Sequence, residues 1–130
     1  MTAPLRILVT GSRTTTSEGD GYVWLTLDRI CAPTLASGRS VVIVQGECHK
    51  GGVDLAARRW AEETASAESE GYPADWKAHG KPAGMIRNGQ MVALGADLCV
   101  AFPARGSRGT WDCLKQAADA GIPGRVYPLG

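Results

Sequence analysis

The sequence predicts an α/β domain of three layers, built on a mainly parallel sheet. Three observations predict it. Strand-sized apolar runs alternate with segments of helical periodicity along the 130 residues. The run Val41 to Gln45 is almost continuously apolar, as a parallel strand covered on both faces requires. Glycine and proline fall between these runs rather than at a fixed period, so they act as punctuation. Strands separated by helices form βαβ units, and those close into a parallel sheet. The length suits one domain over residues 1–130.

Each element has its own signal. Leu5 to Thr10 is a strand, apolar apart from Arg6, and ends at Gly11. A polar loop follows over Ser12 to Gly21. Tyr22 to Leu35 is a helix that Pro33 frays or kinks. Val41 to Gln45 is the second strand. Val53, Ala56, Ala57, Trp60, Ala61, Thr64 and Ala65 then recur at i, i+3, i+4, i+7 and i+8 spacing, the clearest helical stripe in the chain. Glu70 to Ala74 is a short edge strand. Pro82 to Leu94 is a helix with proline near its start. Ala96 to Phe102 is a strand stopped by Pro103. Thr110 to Ala120 is the last helix, with Gly121 as its stop, and Arg125 to Leu129 is the last strand.

Composition excludes several classes. Fourteen Lys and Arg face thirteen Asp and Glu, a net charge of +1. That balance, with no basic stripe, argues against nucleic acid as a partner. No apolar run approaches the ~20 residues of a membrane span, so no membrane partner is expected. The first residues lack the charged-then-apolar pattern of a signal peptide, which predicts a cytoplasmic protein. The four cysteines form no C-x-x-C pair, and free thiols follow. No metal site and no cofactor are expected. Cys48-His49 has no further His or Cys at ligand spacing.

In open parallel sheets, ligands bind beyond the carboxyl ends of the strands. Three loops there carry chemistry. Thr10-Gly11-Ser12-Arg13 offers close backbone approach, a hydroxyl and a guanidinium for phosphate; equally, it is a plain turn with a surface arginine. Gly46 to Asp54 has the spacing G-x-x-x-x-G, but Gly52 and Val53 stand where a phosphate-binding P-loop needs Lys and Ser or Thr. It remains a glycine-rich turn (Gly46, Gly51, Gly52) entering a helix, which suits an anion. Asp54 either complements the helix dipole or meets a ribose. Gly106 to Thr110 enters the last helix with Thr110 as N-cap, presenting backbone amides to phosphate or serving as an ordinary cap.

Arg87 is harder to explain as surface. Ala83, Arg87, Met91 and Leu94 share one helix face, and its other members are apolar. An inward guanidinium needs an anion, either a ligand or the carboxylate of Asp54, Asp75 or Asp112. Tyr72 and Trp76 either stack on a base or pack on the core.

Taken together, these motifs resemble the SLOG superfamily and its YspA-like branch. The resemblance is carried by Thr10-Gly11-Ser12-Arg13, Gly51-Gly52-Val53-Asp54, Tyr72 to Trp76, Ala83-Gly84 with Arg87-Asn88 and Met91, Ala101-Phe102-Pro103 and Gly109-Thr110, in that order. It implies a Rossmann-like fold that binds a nucleotide or nucleotide-derived ligand, and a homo-oligomer, simplest as a homodimer. It adds Asp75, Trp76, Asn88 and Pro103 to a ligand-binding set of Gly11, Ser12, Arg13, Gly46, Gly51, Gly52, Asp54, Arg87, Gly109 and Thr110. The related LOG phosphoribohydrolases pair R-K-x-x-M with P-G-G-x-G-T-x-x-E. Here Asn88 replaces the Lys, Ala104 and Arg105 replace the two glycines, and Cys113 stands at the Glu.

The expectation is therefore a binding or sensing module. The alternative is a phosphoribohydrolase that cleaves a nucleotide N-glycosidic bond. In it Arg87 and the Gly109-Thr110 amides hold the phosphate, and Asp112 or else Asp54 is the carboxylate that stabilises the oxocarbenium-like transition state. A DNA-binding protein of the DprA kind ranks third.

Overall fold

The computed structural model describes residues 3–129. Five parallel strands lie in the order β3-β2-β1-β4-β5. They are β1 (Leu5–Gly11), β2 (Val41–Gln45), β3 (Ala67–Gly71), β4 (Leu98–Phe102) and β5 (Gly124–Val126). The helices are α1 (Ser17–Ala36), α2 (Gly52–Glu63), the single turn α3 (Trp76–His79), α4 (Ala83–Ala93) and α5 (Arg108–Asp119). The chain winds from β1 outward to β3, returns across the sheet to β4, and continues outward to β5. The direction reverses between β1 and β4, and that reversal opens a crevice at the carboxyl ends of the strands.

Alternation along the strands supplies two cores. Ile7, Val9, Val41, Ile43, Val100 and Phe102 face one side and pack with Val23 and Leu27 of α1 and Val53, Ala57 and Trp60 of α2. Leu8, Val42, Val44 and Cys99 face the other and pack with Met91 of α4 and Cys113 and Ala117 of α5. All of β2 is buried, as its apolar run requires. The stripe expected on α2 is buried from Val53 to Ala61, with Trp60 only 1% exposed, but the helix ends at Glu63 and leaves Thr64 half-buried and Ala65 exposed beyond it. Indole N–H groups lock the first layer. Trp24 Nε1 donates to the Ala56 carbonyl at 3.0 Å, and Trp60 Nε1 to Asp28 Oδ1 at 2.8 Å.

Several boundaries differ from the sequence expectation. Helix α1 begins at Ser17, inside the expected loop, because the Thr16 hydroxyl accepts from the Gly19 amide at 3.1 Å and Glu18 and Asp20 sit in the first turn. Pro33 stands inside this helix, which runs on to Ala36. Strand β3 starts three residues earlier than expected, at Ala67. Its sequence AESEG has no apolar run, because an edge strand needs little burial. The turn α3 was not expected; it forms because the Asp75 carboxylate caps the Ala78 amide at 3.0 Å. The cap of α5 is Ser107, not Thr110. Leu94 is 53% exposed and so leaves the apolar face assigned to α4. Among the described residues, no helix is long and apolar enough to cross a membrane.

Candidate ligand cleft

The loops that follow β1, β2, β3 and β4 enclose a cleft of about 630 Å³, within the ~300–1,000 Å³ typical of small-molecule sites. Its floor comes from buried ends of elements: Thr10 and Gly11 of β1, Asp54 of α2, Arg87 and Asn88 of α4, and Thr110 of α5. Its rim carries Ser12 and Arg13, Glu47 to Lys50, Trp76 and Lys81, and Arg105 to Arg108.

Backbone geometry joins these loops. Gly52 has φ +60°, and a Cβ there would run into the carbonyls of Ser12 and Arg13. The next amide, Val53, donates to the Ser12 carbonyl at 3.0 Å. Glycine is thus required where the first two loops meet. Gly46 differs, since the Arg87 guanidinium lies directly on it and a side chain there would displace that group. Glu47 adopts φ +47° with its N–H held by Gln45 Oε1 at 2.6 Å. A left-handed non-glycine residue of this kind is stored strain beside the cleft.

Arg87 is half-buried and turned inward, as its helix face predicts. It donates to the Gly46 carbonyl and, through Nε, to Asn88 Oδ1 at 3.0 Å. Of the two anions open to it, a ligand or the carboxylate of Asp54, Asp75 or Asp112, the carboxylate pair is not formed. The ion pairs among the described residues are Arg6–Glu70, Arg58–Glu62 and Lys115–Asp119, all outside the cleft. Asn88 is buried and extends the network to α5, donating to the Gly109 carbonyl at 3.2 Å and to Asp112 Oδ2 at 3.0 Å. Gln116 donates to the same Asp112 oxygen at 2.8 Å. Asp112 therefore fixes α4 against α5 and does not line the cleft.

Asp54 does line it, at 8% exposure. Its carboxylate accepts from the Cys48 amide at 3.1 Å. Burial raises its pKa to about 6, against the opposing pull of the Arg87 charge and of backbone N–H donors. Beneath the floor, Cys113 is fully buried. A hydrogen bond from the Cys99 thiol holds the Cys113 thiol below its ordinary value, and the same pairing with burial pushes Cys99 up. All four cysteines are free.

Two features point outward. The Ser107 hydroxyl accepts from the Ala104 amide at 2.9 Å rather than capping α5. The Gly109 and Thr110 amides have no backbone acceptor among the described residues. Across the cleft, Trp76 is 42% exposed, rests over Gly84, and holds the Arg13 guanidinium 5.7 Å above its ring.

Of the residues expected to contact ligand, Gly11, Ser12, Arg13, Asp54, Trp76, Arg87, Asn88, Gly109 and Thr110 come together around the cleft. Gly46, Gly51, Gly52, Asp75 and Pro103 shape it from behind and do not line it. The rim cations Lys50, Lys81, Arg105 and Arg108 were missed. Their signal in the sequence is their place in, or at the end of, the segments that follow strands.

The cleft's charge differs from that of the chain. Six of the fourteen Lys and Arg side chains line it, against two of the thirteen carboxylates. None of the six is in an ion pair among the described residues.

The strand order, the helices on both faces and the cleft at the reversal point define a Rossmann-like α/β protein. More particularly, the chain belongs to the YspA, cpYpsA-related SLOG family, whose model matches residues 5–79. The gene 61 protein of Mycobacterium phage D29 is 40% identical over 122 residues, covering 91% of this chain and 92% of that one. Among solved structures, DNA processing protein A from Helicobacter pylori, described for its single-stranded DNA binding mode, superposes with a TM-score of 0.64. The match covers 98% of this chain and 67% of that protein at 20% identity, a likeness of fold.

This last comparison corrects one expectation. The argument against nucleic acid as a partner is withdrawn, because the fold is shared with a protein that binds single-stranded DNA. The physical error was to average charge over the chain. A net charge of +1 conceals a cleft rich in unpaired cations, offset by acids elsewhere.

Proposed function

We propose that the protein binds a phosphorylated nucleoside in this cleft, as a binding or sensing module. The observation that carries the reading is the inward Arg87, which has no carboxylate partner among the described residues and shares one cleft with the free amides of Gly109 and Thr110. Together they suit a phosphate. Exposed Trp76 offers a face for the base, and the ribose then lies near Asp54.

A second reading, hydrolysis of the N-glycosidic bond, is favoured by Asp54 alone. It is a cleft carboxyl whose raised pKa keeps a proton available near pH 6. Asp112 is committed to Asn88 and Gln116, so Asp54 is the stronger choice for that role.

A thermal-shift panel of nucleoside monophosphates, NAD and ADP-ribose tests the first reading. A ligand at 100 times its Kd adds about 2.7 kcal/mol of stability, and Arg87→Ala cuts the gain to about 0.4–1.4 kcal/mol. A flat panel refutes it. Mass spectrometry of the same mixtures tests the second. Free base that appears with the wild type and disappears with Asp54→Asn supports hydrolysis. Binding with no free base leaves a sensor, and salt-sensitive capture of single strands alone replaces both readings with nucleic-acid binding.

A further inference from the structure

The six cleft cations are more than one phosphate can use, and their placement separates them. Arg87 is half-buried on the floor, whereas Arg13, Lys50, Lys81, Arg105 and Arg108 are exposed on the rim. The rim residues are anchored after different strands: Arg13 after β1, Lys50 after β2, Lys81 after β3, and Arg105 and Arg108 after β4. From β3 to β4 there are three strand intervals, about 14 Å at ~4.8 Å each. Cations anchored over that width outnumber what one phosphate on Arg87 needs.

The concentration of charge is itself a constraint. Like charges without partners repel, and a cleft lined by one sign focuses its field on what enters. Elsewhere the protein does form ion pairs, on the outer faces of α2 and α5 and between β1 and β3. Lining the cleft, only Glu47 and Asp54 carry negative charge, and Asp54 is largely protonated below pH 6.

We infer that the ligand carries at least two phosphate groups, one on the Arg87 floor and another on a rim subsite formed by Arg105 and Arg108 with neighbouring cations. The inference rests on the nucleotide-binding reading and sharpens it. A nucleoside monophosphate fills the floor subsite and leaves the rim unsatisfied. Arg105 lies in the loop before α5 and Arg108 opens that helix, both exposed and apart from Arg87 on α4, so the two subsites can be mutated separately.

Titration calorimetry of the full chain with AMP, ADP and a 5′-phosphorylated thymidine dinucleotide tests this. At low salt, at least one two-phosphate probe binds about tenfold or more tighter than AMP, since charged hydrogen bonds contribute on that scale. The double variant Arg105→Ala/Arg108→Ala removes the advantage, so the two-phosphate probe falls to the affinity of AMP measured on the same variant. Both residues are exposed, so folding is retained. The charge-matched control Arg29→Ala/Arg125→Ala, outside the cleft, keeps the advantage. ADP as the tighter probe assigns adjacent phosphates; the dinucleotide assigns phosphates separated along a strand. Equal binding of all three, or an advantage that survives the rim variant, overturns the inference while the nucleotide reading stands. If none of the three binds, both are overturned.

Discussion

At the scale of single residues, the cleft is governed by two groups whose neighbours determine what they do. Arg87 is held open for an anion because its local acceptors are neutral: the Gly46 carbonyl and Asn88 Oδ1. Arg87→Ala should therefore weaken nucleotide binding by about 10–100-fold, the equivalent of ~1.5–3 kcal/mol for a charged hydrogen bond, with little loss of stability by chemical denaturation. Asp54 makes a pH prediction with a definite sign. Its carboxyl pKa rises from 3.8 to about 6 on folding, so the native state binds the proton more tightly than the unfolded chain. The associated stability is present in full below about pH 4 and is lost as pH rises through about 6. At about 1.36 kcal/mol per unit this amounts to ~3 kcal/mol. Asp54→Asn should gain stability on this scale at pH 7.5 and none at pH 4, measured by urea unfolding at both. Arg87 and Asp54 were legible in the sequence, one from its helix face and one from its place at a helix start. Whether a carboxylate or a ligand meets Arg87 was not, because spacing along a helix does not say how far another element stands away.

At the scale of elements, legibility followed burial. Strand β2 buries its apolar positions and matched expectation, and helix α2 matched it as far as Ala61, where its buried stripe ends. Strand β3 is polar and lies at the sheet edge, held by its ladder to β2 and by Glu70, which takes two hydrogen bonds from Arg6 at 3.2 and 3.1 Å. Nothing periodic marked it, and Tyr72 drew the expected boundary too far along the chain. Helix α1 lost its first turn to the same cause: glycines at 19 and 21 looked like loop, whereas the Thr16 cap decided the start. The junction of β1 and α2 carries its own prediction. Gly52→Ala places a Cβ at φ +60° against two backbone carbonyls that cannot swing aside. It should cost at least ~1–3 kcal/mol and displace the Ser12–Arg13 loop, seen as a lower Tm with loss of nucleotide stabilisation. Trp60→Ala empties the centre of the α1–α2 layer and removes the bond to Asp28. It should cost about 3–5 kcal/mol with no direct effect on the cleft, more than 1–2 kcal/mol of which would already be large for a domain of this size.

At the scale of the molecule, the distribution of charge matters more than its sum. The sheet order brings the loops after β1, β2, β3 and β4 to one edge, and those loops, with α4 and the start of α5, carry six of the cations. The rest of the chain carries eight Lys and Arg against eleven Asp and Glu. A sequence sum cannot reveal this division, because only the fold decides which loops become neighbours. The division predicts that ligand affinity falls steeply as salt rises from 50 to 300 mM, far more than the net charge of +1 suggests. Titrations across that range check it, and a flat salt profile would count against the cleft as the site. The central claim is that this edge of the sheet holds a phosphorylated nucleoside through Arg87. Its most direct test is native mass spectrometry of the wild type and of Arg87→Ala, each incubated with the same panel of nucleoside monophosphates, diphosphates, NAD and ADP-ribose. The account predicts one retained nucleotide on the wild type and at least about tenfold weaker retention on the variant. A wild type that retains nothing, or a variant that retains the same compound equally well, would contradict it.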